Sequence, residues 1–129
     1  MSRADRIGLA VAVAAMAGLG GLNIAHQPAI EPDGIDFVTA GSSLISGQGY
    51  PRTVECRLDL HFPPLYPLAC GALGRIAGDP ELGGRLASLL FGVLLVVAVF
   101  LFARVVAGPR AALWAAVFTA VAFAGLASF

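Results

Sequence analysis

The sequence predicts an all-α integral membrane protein with three transmembrane helices and an outer loop that holds one or two short juxtamembrane helices. Three stretches carry no Asp, Glu, Lys or Arg: 7–30, 86–103 and 111–129. Each is close to the 18 or more apolar residues that are typical of a membrane-spanning helix. Hydrophobic residues make up 58% of the 129 residues and charged residues 12%, whereas a soluble domain has roughly 25% charged residues. The lipid bilayer is therefore the expected solvent.

Short polar or Gly/Pro-containing segments divide the chain into five parts. A helix of about 13 residues after the two prolines rises only about 20 Å, too short for a hydrocarbon core of about 30 Å, so we expect it at the membrane surface. The predicted order is a span at 7–25, an outer loop at 26–64, a surface helix at 65–78, and spans at 84–105 and 110–129.

Capping and breaking residues predict where the shorter helices begin and end. Asp33 is expected to be the N-cap of a helix over 35–46, which the Gly-rich segment 47–51 breaks. The surface helix is expected to end near Gly78. Asp79 and the residues after it open the next helix, with acids at its positive end.

Small residues recur at four-residue intervals in each predicted span, a spacing that lets helices approach closely. The three sets are Ala10, Ala14 and Gly18; Gly84, Ser88 and Gly92; and Ala116, Ala120, Ala124 and Ser128.

The arginines predict the orientation. Arg3 and Arg6 precede the first span, and Arg104 and Arg110 flank the turn between the second and third. The positive-inside rule places both ends in the cytoplasm and residues 31–85 outside. This orientation requires that the surface helix does not cross the membrane; if it crosses, the later arginines fall on the outer side.

Charge and cysteine content exclude several classes of protein. The formal net charge is zero, so no nucleic-acid partner is implied. No Gly-rich phosphate loop, nucleophile elbow or zinc signature occurs. Cys56 and Cys70 could pair in an oxidising compartment, but two cysteines alone leave that open.

Tyr50 and Tyr66 fit an aromatic belt at the membrane interface.

Five motifs occur in a fixed order, and together they resemble the start of the polyprenyl-phosphate-sugar-dependent membrane glycosyltransferases of the GT-C fold. That group includes the dolichyl-phosphate-mannose protein mannosyltransferases and the aminoarabinose transferase that modifies lipid A. The motifs are Asp33-Gly34-Ile35-Asp36-Phe37, Gly47-Gln48-Gly49-Tyr50, Phe62-Pro63-Pro64-Leu65-Tyr66-Pro67, Arg85-Leu86-Ala87-Ser88 and Gly108-Pro109-Arg110-Ala111-Ala112.

The resemblance implies transfer of a sugar from a polyprenyl-phosphate donor to a lipid, glycan or protein acceptor. The expected place is the outer face of a bacterial plasma (inner) membrane, in the cell envelope. Such enzymes run to several hundred residues, and the third span has no polar exit segment. We therefore expect the chain to be an N-terminal fragment of a larger GT-C bundle, inactive by itself.

The resemblance assigns the catalytic acid of the first outer loop to Asp33. The family often has a second acid directly after it and a Lys before the prolines; this chain has Gly34 and Phe62 there. No cofactor is certain, and a divalent metal ion remains open.

The residues themselves suit this chemistry. An acceptor hydroxyl loses its proton as the new bond forms, and Asp33 is the predicted general base, or a metal ligand where a cation is used. A plain N-cap, worth about 1 kcal/mol, is compatible with either role. Asp36 lies one turn further along and is a candidate to hold substrate.

Positive charge must stabilise the leaving lipid phosphate, and a guanidinium provides it well. The candidates are Arg52, Arg57, His61 and Arg85. Arg85, at headgroup depth, equally suits a membrane-interface anchor. His61 could contact the phosphate or a metal ion, although a lone loop histidine more often does neither.

Two other classes of protein remain as alternatives. A small non-enzymatic membrane protein could dock to a partner through its small-residue helix faces; it would have no need of an acid near a proline-bounded helix. A transporter would be expected to carry an acid or a broken helix inside a span, and the three spans contain no acid.

Overall fold

A computed structural model describes residues 3–26, 32–50 and 63–126, and the prediction of an all-helical chain is confirmed within them. The described residues form five helices and no strand. These are α1 (Arg3–His26), α2 (Pro32–Ile45), α3 (Leu65–Ala77), α4 (Pro80–Ala107) and α5 (Pro109–Leu126).

Two of these helices are long and apolar enough to cross a membrane: α1 over residues 5–26, and α4. They contain the predicted spans 7–25 and 84–105. The apolar part of α5, residues 109–123, falls short of that length. The third predicted span, 110–129, therefore stays a prediction, and so does a total of three transmembrane helices.

The chain divides into two compact units, and α4 contributes to both. The first unit comprises residues 1–27 and 89–129, and the second comprises residues 28–88.

In the first unit, α1 packs against α5 around a core rich in alanine. Of the small-residue set predicted on α5, Ala116 and Ala120 are buried as expected; Ala124 and Ser128 lie outside the described side chains. The buried residues of this core are Ala12, Met16, Val96, Phe100, Ala112, Ala116 and Ala120.

The packing face of α1 is two residues away from the predicted one. Ala10, Ala14 and Gly18 are exposed, and nothing lies within 4 Å of a Cβ built at Gly18. The face in contact carries Gly8, Ala12, Met16 and Gly20 instead; the side chain of Leu113 fills the space at Gly8, and that of Leu89 the space at Gly20. The predicted four-residue spacing is observed. The small residues in contact are those that lie opposite large side chains of the neighbouring helices.

A buried ion pair joins the start of α1 to the end of α4. Nε and Nη2 of Arg104 donate to Oδ2 of Asp5 at 3.0 and 2.9 Å. The Asp5 side chain is 7% exposed and that of Arg104 is 34% exposed. The two partners are thus unequally placed to reach water if the pair is broken.

We expect Arg104→Leu to lower the free energy of unfolding by about 3–5 kcal/mol, because it removes the cation that pairs with a buried carboxylate. Asp5→Asn should cost less, since the partly exposed guanidinium can extend towards the interface. The double variant should recover part of the loss. Unfolding in detergent by a denaturant series measures all three; equal losses in both single variants would contradict the asymmetry.

The second unit contains α2, α3 and the first turns of α4, and its boundaries follow local capping chemistry. α2 begins three residues before the predicted start and is followed by a turn in which Gly47 and Gly49 both have φ of 77°. α3 ends where Gly78 adopts the left-handed conformation, as predicted. α4 begins directly after Asp79, as predicted, and Oδ1 of Asp79 caps it by accepting the backbone N–H of Glu81 at 2.8 Å.

Candidate functional site

Helices α2 and α3 run in the same direction, so their N-terminal ends lie side by side. The ring of Phe37 contacts the ring of Tyr66 near the two starts, and one to two turns later the side chain of Ile45 lies against Gly71. This places Phe37, one turn after Asp33, next to Tyr66 in the first turn of α3.

Glycines allow the two helices to touch backbone to backbone. A Cβ at Gly41 would overlap the carbonyl oxygen of Pro67, and one at Gly71 would overlap the carbonyl oxygen of Gly41. The hairpin of α3 and α4 is equally tight, because a Cβ at Gly83 would overlap the backbone of Gly74. Only glycine at these positions permits such an approach.

The side chain of Tyr66 lies where α2, α3 and α4 meet. Its ring packs edge-on against Phe37, with centroids 4.9 Å apart and an interplanar angle of 85°. Its hydroxyl lies 2.6 Å from Oγ of Ser88. Since Ser88 donates its own hydrogen to the carbonyl of Gly84 at 3.2 Å, the phenol is the donor to Ser88. We call Phe37, Tyr66 and Ser88 the Tyr66 junction.

Burial keeps the Tyr66 junction uncharged. Desolvation raises the pKa of the Tyr66 phenol, and it also raises the pKa of the neighbouring Cys70 thiol. Both groups therefore stay protonated at neutral pH, and the phenol keeps the hydrogen that it donates. Cys70 is a free thiol, only 1% exposed. Cys56 lies outside the described residues, so a Cys56–Cys70 pairing is untested.

Tyr66 packs between helices, where its ring is half-buried and its hydroxyl is bonded to Ser88. Its expected place in an aromatic belt at the membrane interface stays a prediction.

Of the two acids at the start of α2, Asp33 is placed differently from the prediction and Asp36 lies one turn further along, as predicted. The helix begins at Pro32, so Asp33 is its second residue rather than its N-cap. The backbone of Asp33 is described, but its side chain lies outside the described ones. Asp36 is exposed on the next turn. Their roles as catalytic acid and substrate ligand stay predictions.

Arg85 lies on α4 and forms an ion pair with Glu81, one turn earlier. Its side chain is 18% exposed, so most of it is covered by protein. The pair fixes the guanidinium near the start of α4, one turn before Ser88. A role for Arg85 with the donor phosphate stays a prediction.

The remaining phosphate candidates, Arg52, Arg57 and His61, lie in segment 51–62, outside the described residues. Within 3–26, 32–50 and 63–126, no three His, Cys, Asp or Glu side chains lie together as metal ligands.

The junction residues were not predicted as a site, although each belongs to a motif that was singled out. Phe37 closes the Asp33 motif, Tyr66 is in the double-proline motif, and Ser88 ends the Arg85 motif. A useful signal was available: each of three ordered motifs contains an aromatic or hydroxyl-bearing residue at or near its end. The sequence could not show that these places coincide in space.

The chain belongs to a class of membrane glycosyltransferases. A family described as dolichyl-phosphate-mannose-protein mannosyltransferase matches residues 61–129, more than half of the chain, and the chain is a member of that family. The match includes the motifs at Tyr66, Arg85 and Gly108; Asp33 and Asp36 precede it. No curated protein and no solved structure matches the chain.

Proposed function

We propose that this chain forms part of a membrane enzyme that transfers a sugar from a polyprenyl-phosphate donor to a hydroxyl of a lipid, glycan or protein acceptor. The family match over residues 61–129 carries the proposal. The Tyr66 junction supports it, because it brings three of the motifs that carry the resemblance to one place.

In the proposed reaction the acceptor oxygen attacks the anomeric carbon of the sugar, and the bond from that carbon to the lipid phosphate oxygen breaks. The acceptor proton passes to the carboxylate of Asp33, in the first turn of α2. A carboxylate at the positive end of a helix is stabilised in its ionised form, which favours the binding of a cation and makes it a weaker base. Arg85 is the described candidate for the charge of the departing phosphate.

We place the start of α2 on the outer side of a bacterial plasma membrane, with the N-terminus in the cytoplasm. The ion pair of Asp5 with Arg104 supports this orientation, because it brings the start of α1 and the end of α4 to one end of the first unit. Arg3 and Arg6 are close in sequence to Asp5, and Arg110 is close in sequence to Arg104. Such positive clusters favour the cytoplasmic side.

The same arrangement supports a surface position for α3. If α1 and α4 cross in opposite directions, the chain between them must return to the side where α1 emerged. A single crossing by α3 would break that condition, and its 13 residues are too few to span the hydrocarbon core.

A cysteine accessibility experiment tests the orientation. In a Cys56→Ser background, we expect Gln48→Cys, in an exposed turn after α2, to react with a membrane-impermeant maleimide in intact cells. Ala107→Cys, exposed at the end of α4, is the matched control and should react only after lysis. Labelling of Ala107→Cys in intact cells with protection of Gln48→Cys would overturn the outer-face proposal.

A further inference from the structure

We propose that Tyr66 is a positioning residue for sugar transfer, because its contacts with Phe37 and Ser88 hold the Asp33 turn of α2 and the Arg85 turn of α4 in one arrangement. The inference rests on the proposed function and adds a residue to it. Tyr66 acts through its neighbours and is not itself placed in contact with substrate.

The first contact links Tyr66 to the proposed base. Phe37 lies four residues after Asp33, so the two positions share one side of α2, one turn apart. The edge-on ring contact at 4.9 Å fixes the rotation of that turn relative to α3. The backbones of α2 and α3 also touch at Gly41 and Gly71, so the two helices pack directly against each other about one turn after the ring contact.

The second contact links Tyr66 to the proposed phosphate ligand. Ser88 lies three residues after Arg85, on the next turn of α4. The hydrogen bonds run from the phenol to Ser88 and from Ser88 to the carbonyl of Gly84, directly before Arg85. The side chain of Val38, on α2, also lies against Gly84, on α4. A chain of contacts thus connects the α2 turn to the α4 turn.

The geometry favours positioning over direct catalysis. The phenol donates its hydrogen to Ser88, and the ring is half-buried between helices. Reactive groups must be held to within about 0.5 Å, and a misplacement of about 1 Å far from the chemistry can cost about a hundredfold in rate. A residue that fixes two separate turns can therefore matter for turnover without touching the donor.

The test compares Tyr66→Phe, Ser88→Ala and the double variant in the full membrane enzyme, in a Cys56→Ser background. Each single variant removes the same neutral hydrogen bond, so we expect kcat to fall about fivefold to tenfold and the donor KM to stay within about twofold. The loss in the double variant should be smaller than the product of the single losses, since both single variants remove the bond between Tyr66 and Ser88. Ser88→Thr keeps the hydroxyl and should restore kcat.

Cys70 supplies a readout that does not depend on activity. Its thiol is 1% exposed and lies beside Tyr66, so loosening of the Tyr66 junction should raise its rate of reaction with N-ethylmaleimide. We expect about the same fivefold to tenfold change in Tyr66→Phe and Ser88→Ala. Ser42→Ala is the matched control, because Ser42 is exposed and loses only a bond to the carbonyl of Val38.

The outcomes separate this inference from the proposed function. A double variant whose loss equals the product of the single losses, or a raised donor KM with unchanged kcat, overturns the positioning role while sugar transfer by the parent stands. Absence of transfer from a polyprenyl-phosphate sugar by the unmodified enzyme overturns both. If Ser42→Ala changes kcat and the labelling rate of Cys70 as much as Tyr66→Phe does, the inference that these effects arise from the Tyr66 junction is overturned.

Discussion

Asp33→Asn is expected to lower sugar transfer by about 10²–10⁴-fold in the membrane enzyme that contains this chain, the usual contribution of a positioned general base. The amide keeps the size of the carboxylate but accepts no proton. Asp33 lies in the first turn of α2, whose relation to α3 is fixed by the backbone contact of Gly41 and Gly71. The measurement is release of polyprenyl phosphate from a labelled donor at saturating acceptor.

The matched control is Glu31→Gln, which removes a carboxylate two residues earlier in the sequence and should transfer sugar at the parental rate. Membrane insertion of both variants is checked by the labelling of Gln48→Cys. Near-normal turnover by Asp33→Asn would remove Asp33 from the catalytic role. Loss in Glu31→Gln alone would move the base to that position.

The helix boundaries could be predicted because turn and cap chemistry is local. Gly78 and Asp79 act through their own backbone torsion or their own hydrogen bonds, and the observed end of α3 and start of α4 match the prediction. Asp33 shows the limit of this approach: a good capping residue was one position inside a helix that begins at a proline.

Pairings between distant residues could not be predicted, and they define both units. Tyr66 and Ser88 are 22 positions apart, and Asp5 and Arg104 are 99 positions apart. No periodicity relates such pairs, because they depend on which helix faces which. The packing face of α1 differs from the predicted one for the same reason. More than one face of α1 carries small residues, and the face in contact is the one that lies opposite large side chains of the neighbouring helices.

Gly71→Ala should destabilise the second unit by about 1–3 kcal/mol, although Gly→Ala in a helix usually stabilises by up to about 1 kcal/mol. The sign reverses because the added Cβ would overlap a backbone oxygen of Gly41, which cannot move aside as a flexible side chain could. The helices must separate, and the Phe37–Tyr66 contact must loosen with them. The expected readouts are a lower thermal midpoint in detergent, faster N-ethylmaleimide labelling of Cys70, and reduced sugar transfer.

Gly21→Ala is the matched control, since nothing lies within 4 Å of a Cβ built there. It should leave labelling of Cys70 unchanged and keep or raise the thermal midpoint. Gly41→Ala should reproduce Gly71→Ala, because each closes the same gap from the opposite helix. If Gly71→Ala instead behaved like Gly21→Ala, α2 and α3 would not touch through their backbones, and the packing of Phe37 against the start of α3 would lose its support.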